Sequence, residues 1–195
     1  MTVSVVRSEL ILGGQKSGKS RRAEALAASW LAQSSGHRAL LIATAEAGDE
    51  EMRRRIARHQ SDRAARVPRM QTLEEPRNLA AALAQHSAPY TLIVVDCLTL
   101  WLTHWAFGSG ENLKQKEALA QAWPAQAALF FEALAAAPGP VVLVGNEIGM
   151  GVIPLGREVR AFVDALGLLN QQAAGACQRV TLMAAGLPLV LKDTP

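Results

Sequence analysis

"ELILGGQKSGKSRRAEALAASWLAQ", residues 9 to 33, carries the fold's signature. Its apolar opening, Glu9 to Leu12, reads as a short buried strand, and its Ala- and Leu-rich second half reads as a helix. Between them Gly13, four residues and then Gly18, Lys19 and Ser20 match GxxxxGK[ST] in the strand-to-helix setting that this chemistry requires. Gly13, Gly14, Gln15, Lys16, Ser17 and Gly18 form a loop whose successive N–H groups can turn toward phosphate oxygens. Lys19 adds a positive charge, Ser20 offers a hydroxyl to Mg2+, and the helix that starts near Lys19 presents the positive end of its dipole. The competing reading is a glycine-rich turn with no ligand, which leaves the Lys and Ser unexplained.

Four further apolar runs read as strands: 39–44, 91–96, 141–146 and 179–186. Each is apolar on both alternations, as parallel strands are when helices cover both faces of the sheet. Helices are expected at about 20–35, 49–62, 76–86, 113–136 and 156–175. "PLVLK", residues 188 to 192, follows the turn signal "AGLP" and is expected to return as an antiparallel edge strand. The class is α/β with one central, mostly parallel sheet, and no internal repeat or linker divides residues 1–195 into two domains.

The chain of 195 residues is half hydrophobic, enough to bury a core unaided, and its net charge of +3 names no partner. Cys97 and Cys177 stand 80 positions apart in apolar surroundings, which fits neither a disulfide framework nor a zinc site. No apolar run approaches the ~20 residues that span a bilayer, and the N-terminus lacks a signal-peptide h-region, so a cytoplasmic protein is expected.

Open α/β sheets bind ligands beyond the carboxyl ends of their strands, which makes the residues after each strand candidates. Asp96 closes "TLIVVD" as a metal-organising carboxylate would, or as a cap for the following helix. Asn146 and Glu147 stand at the tip of "VVLVGN", ahead of a glycine-loosened loop. In "GDEEMRRRIARHQSDR", Asp49 is a plausible N-cap, and Met52, Ile56 and His59 follow the i, i+4, i+7 spacing of an inward face. A histidine there is ordinarily a core residue, yet a neutral imidazole in a nucleotide cleft is also able to attack phosphorus. The arginines at 53, 54, 55, 58, 63, 66 and 69 lack interleaved aromatic residues, and the helix also carries Glu50 and Glu51, so a solvated face is favoured over a nucleic-acid patch. Arg63 is expected just past the helix, facing a nucleotide phosphate or ribose.

Taken together, "GGQKSGKS", "ATAEAGDEEMRRRIARHQSDR", "VVDCLTLWL" and "NEIGMGVIPLGREVRAFVDALGLLNQ" resemble the bifunctional adenosylcobinamide kinase and adenosylcobinamide-phosphate guanylyltransferase family of cobalamin biosynthesis, nearly end to end. The resemblance implies a RecA-like P-loop fold assembled as a homotrimer, with corrinoid sites near subunit boundaries. It also implies two reactions. ATP or GTP phosphorylates the hydroxyl of adenosylcobinamide; GTP then transfers GMP to adenosylcobinamide phosphate through a GMP-histidine, which falls on His59. Thr44, Ala45, Glu46, Arg63 and Glu74 match positions that contact GTP in the family, Asp96 matches its acidic residue, and Lys19 joins His59 as catalytic.

This sequence departs from the family pattern after Arg63, where Ala64 replaces Pro, Met70 stands near a usual Trp and the spacing to Thr72 is longer. His104 replaces a common Asn, and Leu168 stands where Arg is usual. The runner-up is a P-loop small-molecule kinase with one of the two activities. A regulatory GTPase is disfavoured, since NKxD and DxxG motifs are both missing from the sequence.

Overall fold

A computed structural model describes residues 4–107 and 113–194. Seven strands and six helices alternate along them: β1 (Ser8–Gly13), α1 (Lys19–Gln33), β2 (Arg38–Ala43), α2 (Glu50–Arg66), β3 (Met70–Glu74), α3 (Leu79–His86), β4 (Thr91–Asp96), α4 (Leu98–Phe107), α5 (Leu113–Ala136), β5 (Val141–Val144), α6 (Arg157–Ala176), β6 (Arg179–Ala184) and β7 (Leu187–Asp193). The strands form one sheet in the order β3-β2-β4-β5-β1-β6-β7, parallel except for β7, which runs antiparallel to β6.

Each central strand sends alternate side chains to opposite faces, and two apolar clusters result. On the α1 face Ile11, Leu41, Leu92, Val94, Val142 and Val144 pack against Ala23, Leu26, Ala27 and Leu31 of α1. On the other face Leu10, Leu12, Ile42, Ile93, Val95, Val141 and Leu143 meet Leu79 and Leu83 of α3, Trp101 of α4, Phe130 of α5 and Leu166 and Leu169 of α6. The three-layer α/β architecture expected from the doubly apolar runs is therefore present.

Besides α4, which none of the five expected helix ranges covers, three local features differ from the sequence expectation. The strand β3 was not legible: of "MQTLE" only Met70 is buried, because this edge strand is covered too little to need apolar side chains. The helix α2 continues through Arg66, so Arg63 lies within it. Asp49 does cap α2, its Oδ1 accepting the Met52 N–H at 2.7 Å, with Glu50 and Glu51 in the first turn. The third difference concerns His59, which is exposed rather than packed inward. Met52 and Ile56 are half-buried, and the apolar stripe of α2 does not extend one more turn to the imidazole. The β6–β7 turn is the two-residue hairpin that "AGLP" announces, with Ala185 at φ 51° and Gly186 at φ 80°.

Candidate active site

The phosphate loop occupies the carboxyl end of β1. Gly13 has φ 152°, and a Cβ there would stand 2.5 Å from the Met183 carbonyl oxygen and 2.6 Å from Ser17 Oγ. Only glycine fits between β6 and the loop. Gly18 has φ 103° and ends the loop directly ahead of α1, while Lys16 is also left-handed at φ 56°. The hairpin of β6 and β7 braces the loop from outside, the Gly186 N–H donating to the Ser17 carbonyl at 3.0 Å.

Lys19 is buried and its ammonium donates to the Gly14 carbonyl at 2.7 Å, holding the cation against the loop. Ser20 Oγ donates to Asp96 Oδ2 at 2.8 Å. A hydroxyl and a carboxylate so close together are both hard oxygen donors, and Mg2+ favours such ligands. The residues present thus fit the ion that the motif implies.

Thr44 and Glu46 extend the site along the tip of β2. The Thr44 side chain is fully buried; its hydroxyl donates to the Cys97 carbonyl and accepts the Cys97 N–H, both at 2.8 Å, which stitches β2 to the end of β4. Its N–H donates to the Asp96 carbonyl at 3.0 Å, so the backbone of Thr44 is tied to the end of β4 as well. His104, buried in α4, places Nε2 2.8 Å from the Thr44 carbonyl oxygen and Nδ1 3.4 Å from Glu46 Oε2. The carbonyl accepts only, so Nε2 carries a proton. This departure from the family's usual Asn is a strut under the Thr44–Glu46 segment.

Arg63 and Glu74 lie at the sheet edge, on the far side of that segment from the loop. Glu74 ends the edge strand β3, four strands from β1 and so roughly 19 Å across the sheet. There Gln60 Nε2 donates to Glu74 Oε1 at 3.4 Å, and Arg63 Nη2 donates to Thr72 Oγ1 at 3.0 Å. His59 stands one helical turn ahead of Arg63. Sequence-predicted residues thus run along the strand ends from the loop with Ser20, past Asp96 on β4 and Thr44, Ala45 and Glu46 after β2, to an edge group of His59, Arg63 and Glu74, with Glu74 in register with Ala43. Of the other departures, Met70 is buried in the α1-side core and Leu168 is exposed on α6.

Sequence reasoning passed over three supporting residues. Thr99 Oγ1 accepts the Asn146 N–H at 2.9 Å, and Asn170 Nδ2 donates to the Asn146 carbonyl at 3.0 Å. Nothing in their spacing marks them. Glu24, one turn beyond Ser20, is buried between α1 and α2 with Arg66 Nε 2.8 Å from its Oε2. That contact is misaligned for a hydrogen bond. Burial raises the Glu24 pKa, opposed by the charges of Arg66 and Arg63 and reinforced by those of Asp96 and Asp62. Cys97 and Cys177 are buried free thiols, pushed up by burial to about 11 and about 12, and neither is a nucleophile at neutral pH. Among the described residues no helix is long and apolar enough to cross a membrane, and no group of three or more His, Cys, Asp or Glu residues is placed to hold a metal ion.

Comparison with known proteins agrees with this geometry. Solved structures with the same fold include the flagellar accessory protein FlaH from Methanocaldococcus jannaschii (TM-score 0.53, 12% identity, 98% of this chain and 80% of that one). A solved ATPase domain is another (TM-score 0.51, 10% identity, 90% of this chain and 68% of that one). At such identities they show the P-loop α/β fold alone. Sequence relatives reach further. The bifunctional adenosylcobalamin biosynthesis protein CobP of Pseudomonas aeruginosa is 47% identical over 189 residues, 96% of this chain and 98% of its own. The bifunctional adenosylcobalamin biosynthesis protein CobU of Escherichia coli is 35% identical over 187 residues, 94% of this chain and 98% of its own. The family described as cobinamide kinase / cobinamide phosphate guanyltransferase matches residues 9–191, a span that takes in the phosphate loop, Asp96 and the histidine-bearing helix alike. On that match, and on relatives aligned over almost their whole length, the chain belongs to the cobinamide kinase / cobinamide phosphate guanyltransferase family.

Proposed function

We propose that residues 1–195 act as one P-loop domain with both activities of the family. It phosphorylates adenosylcobinamide with ATP or GTP, and it transfers GMP from GTP to adenosylcobinamide phosphate through a GMP-His59 intermediate. The observation that carries this reading is the phosphate loop with Ser20 Oγ 2.8 Å from Asp96 Oδ2, in a chain matched by the family over residues 9–191.

In this reading the loop amides of residues 13–18 and the Lys19 ammonium hold the phosphates. Ser20 and Asp96 hold Mg2+, which supplies charge neutralisation when bound. Thr44, Ala45 and Glu46 line the nucleotide, and Arg63 and Glu74 take its ribose and base, Glu74 accepting guanine N–H groups. His59 is a nucleophile: its ring nitrogen forms a bond to the α-phosphorus as pyrophosphate leaves, and the GMP then passes to the substrate phosphate, which regenerates the imidazole. Two displacements replace one. Exposure of His59 suits a nucleophile that must meet two successive partners. We further propose a cytoplasmic homotrimer, with no nucleic-acid partner and no membrane span.

The test is incubation with Mg2+ and GTP labelled on the α-phosphate, then denaturation, peptide mapping and acid treatment, with His59→Ala in parallel. Acid-labile label on His59, lost in the variant, is the expected result. Tight GTP binding without label would favour the runner-up, a P-loop kinase with the phosphotransferase activity alone.

A further inference from the structure

Asn146 occupies a position that none of these assignments uses. The strand β5 lies between β1, which carries the phosphate loop, and β4, which carries Asp96. The chain continues this pairing past Val144: the Gly145 N–H donates to the Ile11 carbonyl at 3.0 Å and the Glu147 N–H to the Gly13 carbonyl at 3.1 Å. Residues 145–147 therefore keep strand geometry beside the start of the loop.

Alternation along that strand decides which way Asn146 faces. Val142 and Val144 pack in the α1-side core, and Val141 and Leu143 pack in the opposite one. A Cβ built on Gly145 points to Leu12 Cδ2 at 3.1 Å and Asn170 Oδ1 at 3.2 Å, on the α6 side. Asn146, next in line, falls on the α1 side with Asp96 and the phosphate loop. Its backbone is fixed from behind, the N–H by Thr99 and the carbonyl by Asn170. Asn170 is itself buried, with its Oδ1 lacking a hydrogen-bond partner, so it serves here through its Nδ2 alone. Two polar side chains from different helices are thus devoted to holding one residue, whose own side chain is half-buried.

We propose that Asn146 is the γ-phosphate-reading residue of this site: its carboxamide NH2 donates to a terminal phosphate oxygen of the nucleoside triphosphate, between the loop and the Mg2+-holding pair. A neutral donor suits this place, because Lys19 and the loop amides already supply positive character and Asp96 supplies the carboxylate. The proposal rests on the reading of residues 13–20 as a triphosphate loop, and it names the residue that distinguishes a triphosphate from a diphosphate. Thr99 and Asn170 are positioning residues for it.

The experiment measures binding of the α,β-methylene analogue of GTP, whose α-phosphorus cannot be transferred to His59, and of GDP, both with Mg2+, by calorimetry on wild type, Asn146→Asp and Asn146→Ala. A charge-assisted hydrogen bond lost, and in the aspartate variant replaced by repulsion, is expected to weaken the triphosphate analogue about tenfold or more, while GDP affinity stays within about twofold. The alanine variant is expected to show the smaller selective loss. Equal weakening of both nucleotides in both variants would mean that Asn146 merely shapes the loop, and no weakening of either would mean that it faces elsewhere; both overturn the proposal. Wild-type protein that binds neither nucleotide would overturn the triphosphate loop itself, a failure distinct from these.

Discussion

Glu24 is a carboxylate held where water would serve it better. Its burial raises its pKa by more than the neighbouring Arg66 and Arg63 lower it, and Arg66 approaches at 2.8 Å without hydrogen-bond alignment. A raised native pKa means that the folded chain binds more protons than the unfolded one just above the ordinary glutamate range. Stability from this group is then present below the unfolded value and lost as pH rises through the folded one. Glu24→Gln removes that loss. Urea unfolding across pH 4 to 8 is expected to show the variant at least as stable as wild type at neutral pH, with the wild-type-minus-variant difference falling as pH rises. A difference that grows with pH would show that the Arg66 pair outweighs the burial.

Among the elements, the loop and the hairpin behind it form a unit. Gly13 and Gly186 both have positive φ, yet their surroundings differ. A Cβ on Gly13 meets backbone of β6 at 2.5 Å, whereas one on Gly186 meets nothing within 4 Å. Gly186→Ala should therefore cost only the left-handed penalty, about 1–2 kcal/mol. Gly13→Ala adds overpacking of about 1–3 kcal/mol and displaces β6 from the loop. Equilibrium denaturation of both variants, with nucleotide binding alongside, checks the order. The expected outcome is that Gly186→Ala keeps nucleotide affinity and Gly13→Ala loses both stability and affinity. His104 also joins elements. It ties α4 to the tip of β2, so its place in the sequence, 60 positions from Thr44, discloses nothing of its contact.

Over the molecule as a whole, the exposed apolar side chains among the described residues include Met150, Val152, Ile153 and Leu155 in the segment after β5, and Leu187, Leu189, Val190 and Leu191 along β7. Contiguous apolar exposure of this kind marks contact surfaces. The proposed homotrimer predicts sedimentation at three times the 20.8 kDa chain mass, and a monomeric boundary at micromolar concentration would exclude it.

Local pattern was enough for the α/β class, the phosphate loop with Lys19 and Ser20, the cap at Asp49 and the returning β7. Each is a short-range signal: a doubly apolar run, a fixed glycine spacing, an Asp ahead of a helix, a turn dipeptide. Asp96 was also legible, because it ends a buried strand. Three things came from the folded chain alone: that β5 lies between the loop and Asp96, which gives Asn146 its outlook; that Thr99, His104 and Asn170 brace the site; and that His59 is exposed near the sheet edge with Arg63 and Glu74. Strand order and the packing of one helix behind another depend on pairings between residues far apart in the chain. A periodic pattern records only whether a side chain is covered, and the identity of what covers it, or of what it braces, is set when the strands take their places in the sheet.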